Sequence, residues 1–220
     1  VTGNVLITGL GTSAGTIDQA NVLSFTISGA SLFVGTGGAL NGARDTVLTT
    51  GAVGFSVAGA SFAMASVTKG ATSFTGVQAT ITNAALLGVS GVDLQVAGTV
   101  KLNTTSVLNG PRVDWDSATT QPSTATNLLP ALSVDKAQQL AASGAASLNI
   151  GPGNVVAVIT NLTLEMATAD VVTGNVLITG LGTSAGTIDQ ANVLSFTISG
   201  ASLFVGTGGA LNRSEEHTSE

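Results

Sequence analysis

The sequence predicts an all-β fold: elongated, repetitive and built mostly of antiparallel strands and hairpins, with a β-solenoid or β-helix as the alternative. Three observations carry this. Apolar and polar residues alternate with period two along most of the chain, the pattern of strands with one buried face. Glycine stands inside or just after those runs, where it bends a strand or supplies a turn. The chain also repeats itself: residues 1–41 return without a mismatch as residues 172–212, an offset of 171. A fixed period is the signature of an array of like units.

The alternation can be followed segment by segment. In LSFTIS, Leu23, Phe25 and Ile27 face one way, and Ser24, Thr26 and Ser28 the other. Phe55 and Val57 do the same in GFSVAG, as do Val77, Ala79 and Ile81 in VQATIT. So do Val92, Leu94 and Val96 in VDLQV, and Leu162, Leu164 and Met166 in NLTLEM. The apolar rows are expected to be buried, and the Thr- and Ser-rich rows to lie in water. LSFTISGASLFV (23–34) aligns with VGFSVAGASFAM (53–64), with Gly29 and Gly59 inside the strand pattern. Glycine there predicts a bend or bulge. Gly70, between two alternating runs, predicts a tight hairpin, and Gly151-Pro152-Gly153 a second. Residues 106–130 hold three of the four prolines and the only Trp, and read as a loop or connector. SVDKAQQLAASG (133–144) fits a short helix capped by Ser133 and stopped by Gly144, although its register also fits a strand.

The repeat sets the domain organisation. Residues 1–171 form one unit, and 172–212 begin the next. The identity has three available causes: recent duplication in a long array, an assembler writing one stretch of a tandem array twice, or a spurious duplication. Arg213–Glu220, RSEEHTSE, matches the translation of a short-read sequencing adapter and is expected not to be native. It begins where the repeat breaks off, so the chain reads as a fragment from environmental DNA.

Without that tail, five basic and nine acidic residues remain, a net charge of −4. The scattered Lys and Arg argue against nucleic acid as a partner. No apolar run reaches the ~18 residues of a membrane-spanning helix. There is no Cys, hence no disulfide framework and no thiolate metal site. With His217 in the tail, no His remains, and Tyr is absent, so nucleophile–His catalysis is excluded.

One constellation stands out. In Val113-Asp114-Trp115-Asp116, an extended backbone would project both carboxylates to one face and Trp115 to the other. Asp114 and Asp116 are therefore candidate calcium ligands, since calcium takes several oxygens. They are also the best available pair for glycoside hydrolysis. The plainer reading has both solvating a loop while Trp115 covers an edge of the core. GTGGALNGARD (35–45) is similar to glycine- and aspartate-rich calcium repeats but lacks their nine-residue period, and a glycine-based turn explains it. LITGLGTSAG (6–15) has Ala14 where a dinucleotide-binding loop needs glycine.

GFSVAGASFAMASV, ATITNAALLGVSGVDLQVAGTVKLNTT and LNGPRVDWDSAT together resemble repeat units of giant bacterial exported proteins known as β-strand repeat proteins. The resemblance covers most of residues 20–170 and lies in texture and motif order, with no catalytic signature. It implies an adhesin-like, extracellular or cell-surface segment without catalytic activity. Its partners would be neighbouring units of the same chain, and surface glycans or other cells. A calcium- or glycan-binding module in the same scaffold is the alternative, and a polysaccharide-degrading β-helix enzyme a further one.

Overall fold

The computed structural model describes residues 2–7, 15–108, 110–121, 127–172 and 187–210. The glycine-rich stretch at 8–14, the start of the second repeat copy at 173–186 and the adapter-like Arg213–Glu220 lie outside them. Among the described residues eleven strands form: β1 (Thr2–Ile7), β2 (Gly15–Thr36), β3 (Ala39–Leu40), β4 (Val47–Leu48), β5 (Val53–Lys69), β6 (Thr72–Leu87), β7 (Val92–Thr105), β8 (Thr119–Gln121), β9 (Gln138–Ile150), β10 (Val155–Val172) and β11 (Thr187–Val205). Nine make one open antiparallel sheet in the order β11-β10-β9-β7-β6-β5-β2-β1-β8, and β3 and β4 pair as a small hairpin. The all-β, antiparallel expectation is met. Neighbours in the sheet are mostly neighbours in sequence, and among the described residues neither the alternative solenoid nor a closed barrel forms.

Both expected hairpins are present. Lys69 pairs with Thr72 around Gly70, whose φ of +58° is one that glycine adopts without steric cost. Ile150 pairs with Val155 across Gly151 and Gly153. The helix expected at 133–144 does not form, and Gln138–Ile150 is β9 instead. Its alternate residues Leu140, Ala142 and Gly144 pair with Leu102, Val100 and Gly98 of β7. Pairing on both sides outweighs the helix propensity of alanine and glutamine.

A line of bulges crosses the sheet and keeps its apolar residues on one face. β7 and β9 alternate without interruption: Leu102, Val100, Gly98, Val96 and Leu94 pair with Leu140, Ala142, Gly144, Ala146 and Leu148. Their neighbours each contain one extra residue. In β6 the apolar positions run Val77, Ala79, Ile81 and then Ala84, Leu86; in β10 they run Leu164, Leu162 and then Ile159, Ala157. β5 changes parity at Gly59, β2 at Gly29 and β11 at Gly200, with φ of +67°, +65° and +62°. A one-residue slip would otherwise carry half of each strand's apolar set to the opposite face. Threonine hydroxyls brace the line: Thr82 Oγ1 donates to Gly59 O at 2.9 Å, and Thr160 Oγ1 to Gly200 O at 3.4 Å.

The buried core lies on the other face. The chain from Ser106 to Ala137 leaves β7, and within it β8 pairs with β1. Its Val113, Trp115, Ala118, Leu129, Leu132 and Val134 pack on Ala20, Ala65, Val67 and Phe74 of the sheet. Burial of a Val or Leu side chain contributes about 1.5–3 kcal/mol. The apolar rows expected to be buried are so only in part: Val57 is buried and Val77, Leu94 and Leu164 are half-buried, but Leu23 is 61% exposed and Phe196 60%. The reason is that the crossing segment covers one end of the opposite face, and among the described residues no second layer covers this one.

Candidate functional site

The segment holding Asp114 and Asp116 is anchored rather than extended. Trp115 N donates to Val134 O at 2.9 Å, and Ser117 N to Asp114 O at 3.3 Å, which closes a turn over 114–117. Trp115 is 3% exposed, Asp114 half-buried and Asp116 exposed. The indole lies over Gly76, where an added Cβ would stand 2.6 Å from Nε1. Trp115 thus covers the core, as the plainer sequence reading has it. Among the described residues no group of three or more His, Asp or Glu side chains gathers around a point that could hold a metal ion.

Asn103 holds this segment to the sheet. It is buried on β7, opposite Gly76 on β6. Its Nδ2 donates to Val113 O at 2.8 Å and Asp135 O at 3.0 Å, and its Oδ1 accepts from Trp115 Nε1 at 3.0 Å. Further ties run from Ser133 N to Gln78 Oε1, and from Arg112 Nη2 to Thr168 Oγ1. Burial lowers the Arg112 pKa from its ordinary value. In the 35–45 stretch, Asn41 Nδ2 donates to Asp45 Oδ1 at 2.6 Å, and Asp45 N to Asn41 Oδ1 at 3.1 Å, closing the β3–β4 hairpin. The Asn41 amide, then the Thr46 hydroxyl, hold the Asp45 carboxyl below its usual pKa.

The open apolar face is the other candidate surface. Leu23, Phe25 and Ile27 at one end, Val100 and Leu102 in the middle, and Leu194, Phe196 and Ile198 at the other all lie on it and are exposed. A soluble monomer rarely shows a contiguous apolar patch beyond a few hundred Å², and larger patches mark interaction surfaces. Where the bulge line bends the strands, a groove of about 310 Å³ forms, lined by Ile81, Val96, Val100, Ala142, Ile159 and Leu162. A second hollow, of about 450 Å³, is lined by Thr82, Asn83, Gln95, Ser147 and Thr160 together with Val158 and Ile159.

The repeat has a structural counterpart. β11 is the second copy of β2, since Thr187–Val205 has the sequence of Thr16–Val34. Six steps of antiparallel pairing separate the two, so both run in the same direction with the same residues on the apolar face. The repeat and the bulges at Gly29 and Gly59 were legible in the sequence; the tripeptide that faces them was not read there. Ile81-Thr82-Asn83 recurs as Ile159-Thr160-Asn161, and each crosses from one parity to the other beside Gly59 or Gly200. That tripeptide was the available signal.

The chain matches no family model, no characterised protein and no solved structure.

Proposed function

We propose that the chain is a non-catalytic structural and adhesive repeat segment of a large secreted or cell-surface bacterial protein. One observation supports it above the others: after six strands the sheet returns to the same sequence, in the same direction and with the same side facing out. A unit with an even number of strands adds to its successor without reversing the sheet. Strands lie ~4.8 Å apart, so each unit advances the sheet by about 29 Å. Repeats joined in this way are stabilised by each interface with a neighbour, and interior strand edges are covered. The crossing segment at 106–137 would thicken each unit on the polar side, leaving the apolar side as the adhesive surface.

Long-read sequencing of the source locus tests this reading. Many in-frame copies of the 171-residue unit behind an export signal are expected. A single copy with unrelated flanks would remove its support.

A further inference from the structure

β2 and β11 have one sequence but different neighbours. β5 pairs along β2 from Asn21↔Thr68 to Thr36↔Val53. The other edge of β2 meets β1. β11 meets β10 on the side that corresponds to β1, because the two copies run the same way with the same face outward. The open edge of β11 is therefore the edge that β5 occupies on β2.

We infer that this open edge is a docking site for a β5-type strand, residues 53–69 of a following unit, in the register that β5 takes on β2. Three observations carry this. First, the edge already has the bound shape. Gly200 has φ +62° against +65° for Gly29, and Gly208 has +82° as does Gly37. The bulge that must match Gly59 is in place before a partner arrives, which reduces the cost of ordering on binding. Second, the edge is unguarded. From Ala191 to Val205 there is no proline and no charged residue. Natural sheet edges are blunted by short strands, charges or proline. The opposite end of this sheet follows that rule with β8, which has three residues. Third, β5 brings a complementary row. Thr26, Phe25 and Ile27 pair with Ala63, Met64 and Phe62, so Thr197, Phe196 and Ile198 would meet the same three residues of the next unit.

The inference rests on the array reading for the source of the strand, and its own test is independent of the gene. The chain contains no cysteine, so an introduced pair reports on one contact alone. The full chain carrying Thr197→Cys is mixed, in a glutathione redox buffer, with a synthetic peptide of residues 51–71 carrying Ala63→Cys. Directly opposed residues bring Cβ atoms to ~4.5–5.5 Å, close enough to be bridged. A peptide carrying Ala65→Cys is the register control, since β2 places Ala65 opposite Ser24, the counterpart of Ser195. The expected result is at least a tenfold preference of Thr197→Cys for the Ala63→Cys peptide, and the opposite preference for a Ser195→Cys chain. Equal yields from both peptides would overturn the proposal. A peptide that precipitates is replaced by a chain continued after Asn212 by residues 42–69, carrying the same cysteine pair. Absence of the cross-link there, with the β10–β11 amides protected from exchange, would overturn it as well. A locus with one copy would sink the array while leaving this pairing intact.

Discussion

The Trp115 indole donates to Asn103 Oδ1 at 3.0 Å, and both side chains are buried between the sheet and the segment that crosses it. Asn103 uses its acceptor and both amide hydrogens in this way, on Trp115 Nε1, Val113 O and Asp135 O. Such a side chain works as a clamp: its removal leaves several partners unsatisfied at once.

Asn103→Ala is therefore expected to destabilise the chain by about 2–4 kcal/mol, the cost of leaving buried donors and acceptors unpaired. Trp115 is the sole tryptophan, so its emission reports on this contact alone. The variant should show red-shifted emission in buffer and a lower urea midpoint. Unchanged emission together with an unchanged midpoint would mean that the crossing segment is held by its apolar contacts.

The bulge line makes a second prediction. Gly59 stands at φ +67°, and an added Cβ would lie 3.1 Å from Thr82 Cβ. Gly70 stands at φ +58° with nothing within 4 Å of such a Cβ. An Ala substitution at either site carries the left-handed backbone penalty, about 1–2 kcal/mol. Gly59→Ala should cost roughly 1 kcal/mol more than Gly70→Ala, since Thr82 must also move. Paired urea denaturation curves measure the difference. Equal losses would show that the β5–β6 pair absorbs the extra methyl group freely.

The fold was largely legible because its strands are local in sequence. Leu23-Phe25-Ile27 and Val77-Ala79-Ile81 announce themselves by alternation, and Gly70 by its place between two runs. Gln138–Ile150 was harder, since its alanines and glutamines suit a helix and only β7 and β10 on either side decide the matter. The side on which the core forms was not legible. Alternation says that Phe25 and Ser24 face opposite ways, but not that a segment more than eighty residues later will cover the Ser24 side. The Asn103–Trp115 contact is of the same kind, because no spacing or alternation in the sequence links Asn103 to Trp115. Of the candidate site, the packing role of Trp115 was readable; the turn that sets Asp114 and Asp116 apart from an extended backbone was not.

Acid should loosen the β3–β4 hairpin before the rest of the sheet. The Asp45 carboxylate accepts from Asn41 and Thr46, which lowers its pKa below the ordinary 3.8. A depressed folded-state pKa adds stability above the unfolded value, and that contribution is lost as pH falls through the folded value. The hairpin is thus at full strength at neutral pH and weakens only below about pH 4. Asp45→Asn should remove this dependence. Amide exchange of Leu40 and Leu48, followed from neutral pH to pH 3, provides the measurement, and the change should be confined to the hairpin.

The open apolar face leads to the last prediction. Leu23, Phe25, Leu194 and Phe196 are all exposed, Leu194 by 64%, so they add little to the stability of a single chain. Replacing all four by Thr puts β-branched side chains on the strands and should change stability by less than about 0.5 kcal/mol per site, with more lost only at Phe25, whose ring meets that of Phe62. The same change removes apolar surface that water otherwise meets, at about 25 cal/mol per Å². Self-association and binding of a hydrophobic dye should therefore fall steeply while the urea midpoint stays nearly fixed. Sedimentation velocity and dye fluorescence on the same samples separate the outcomes. A collapse of the midpoint would mean that these side chains are buried in solution, and that the face is closed by a second layer even in the isolated chain.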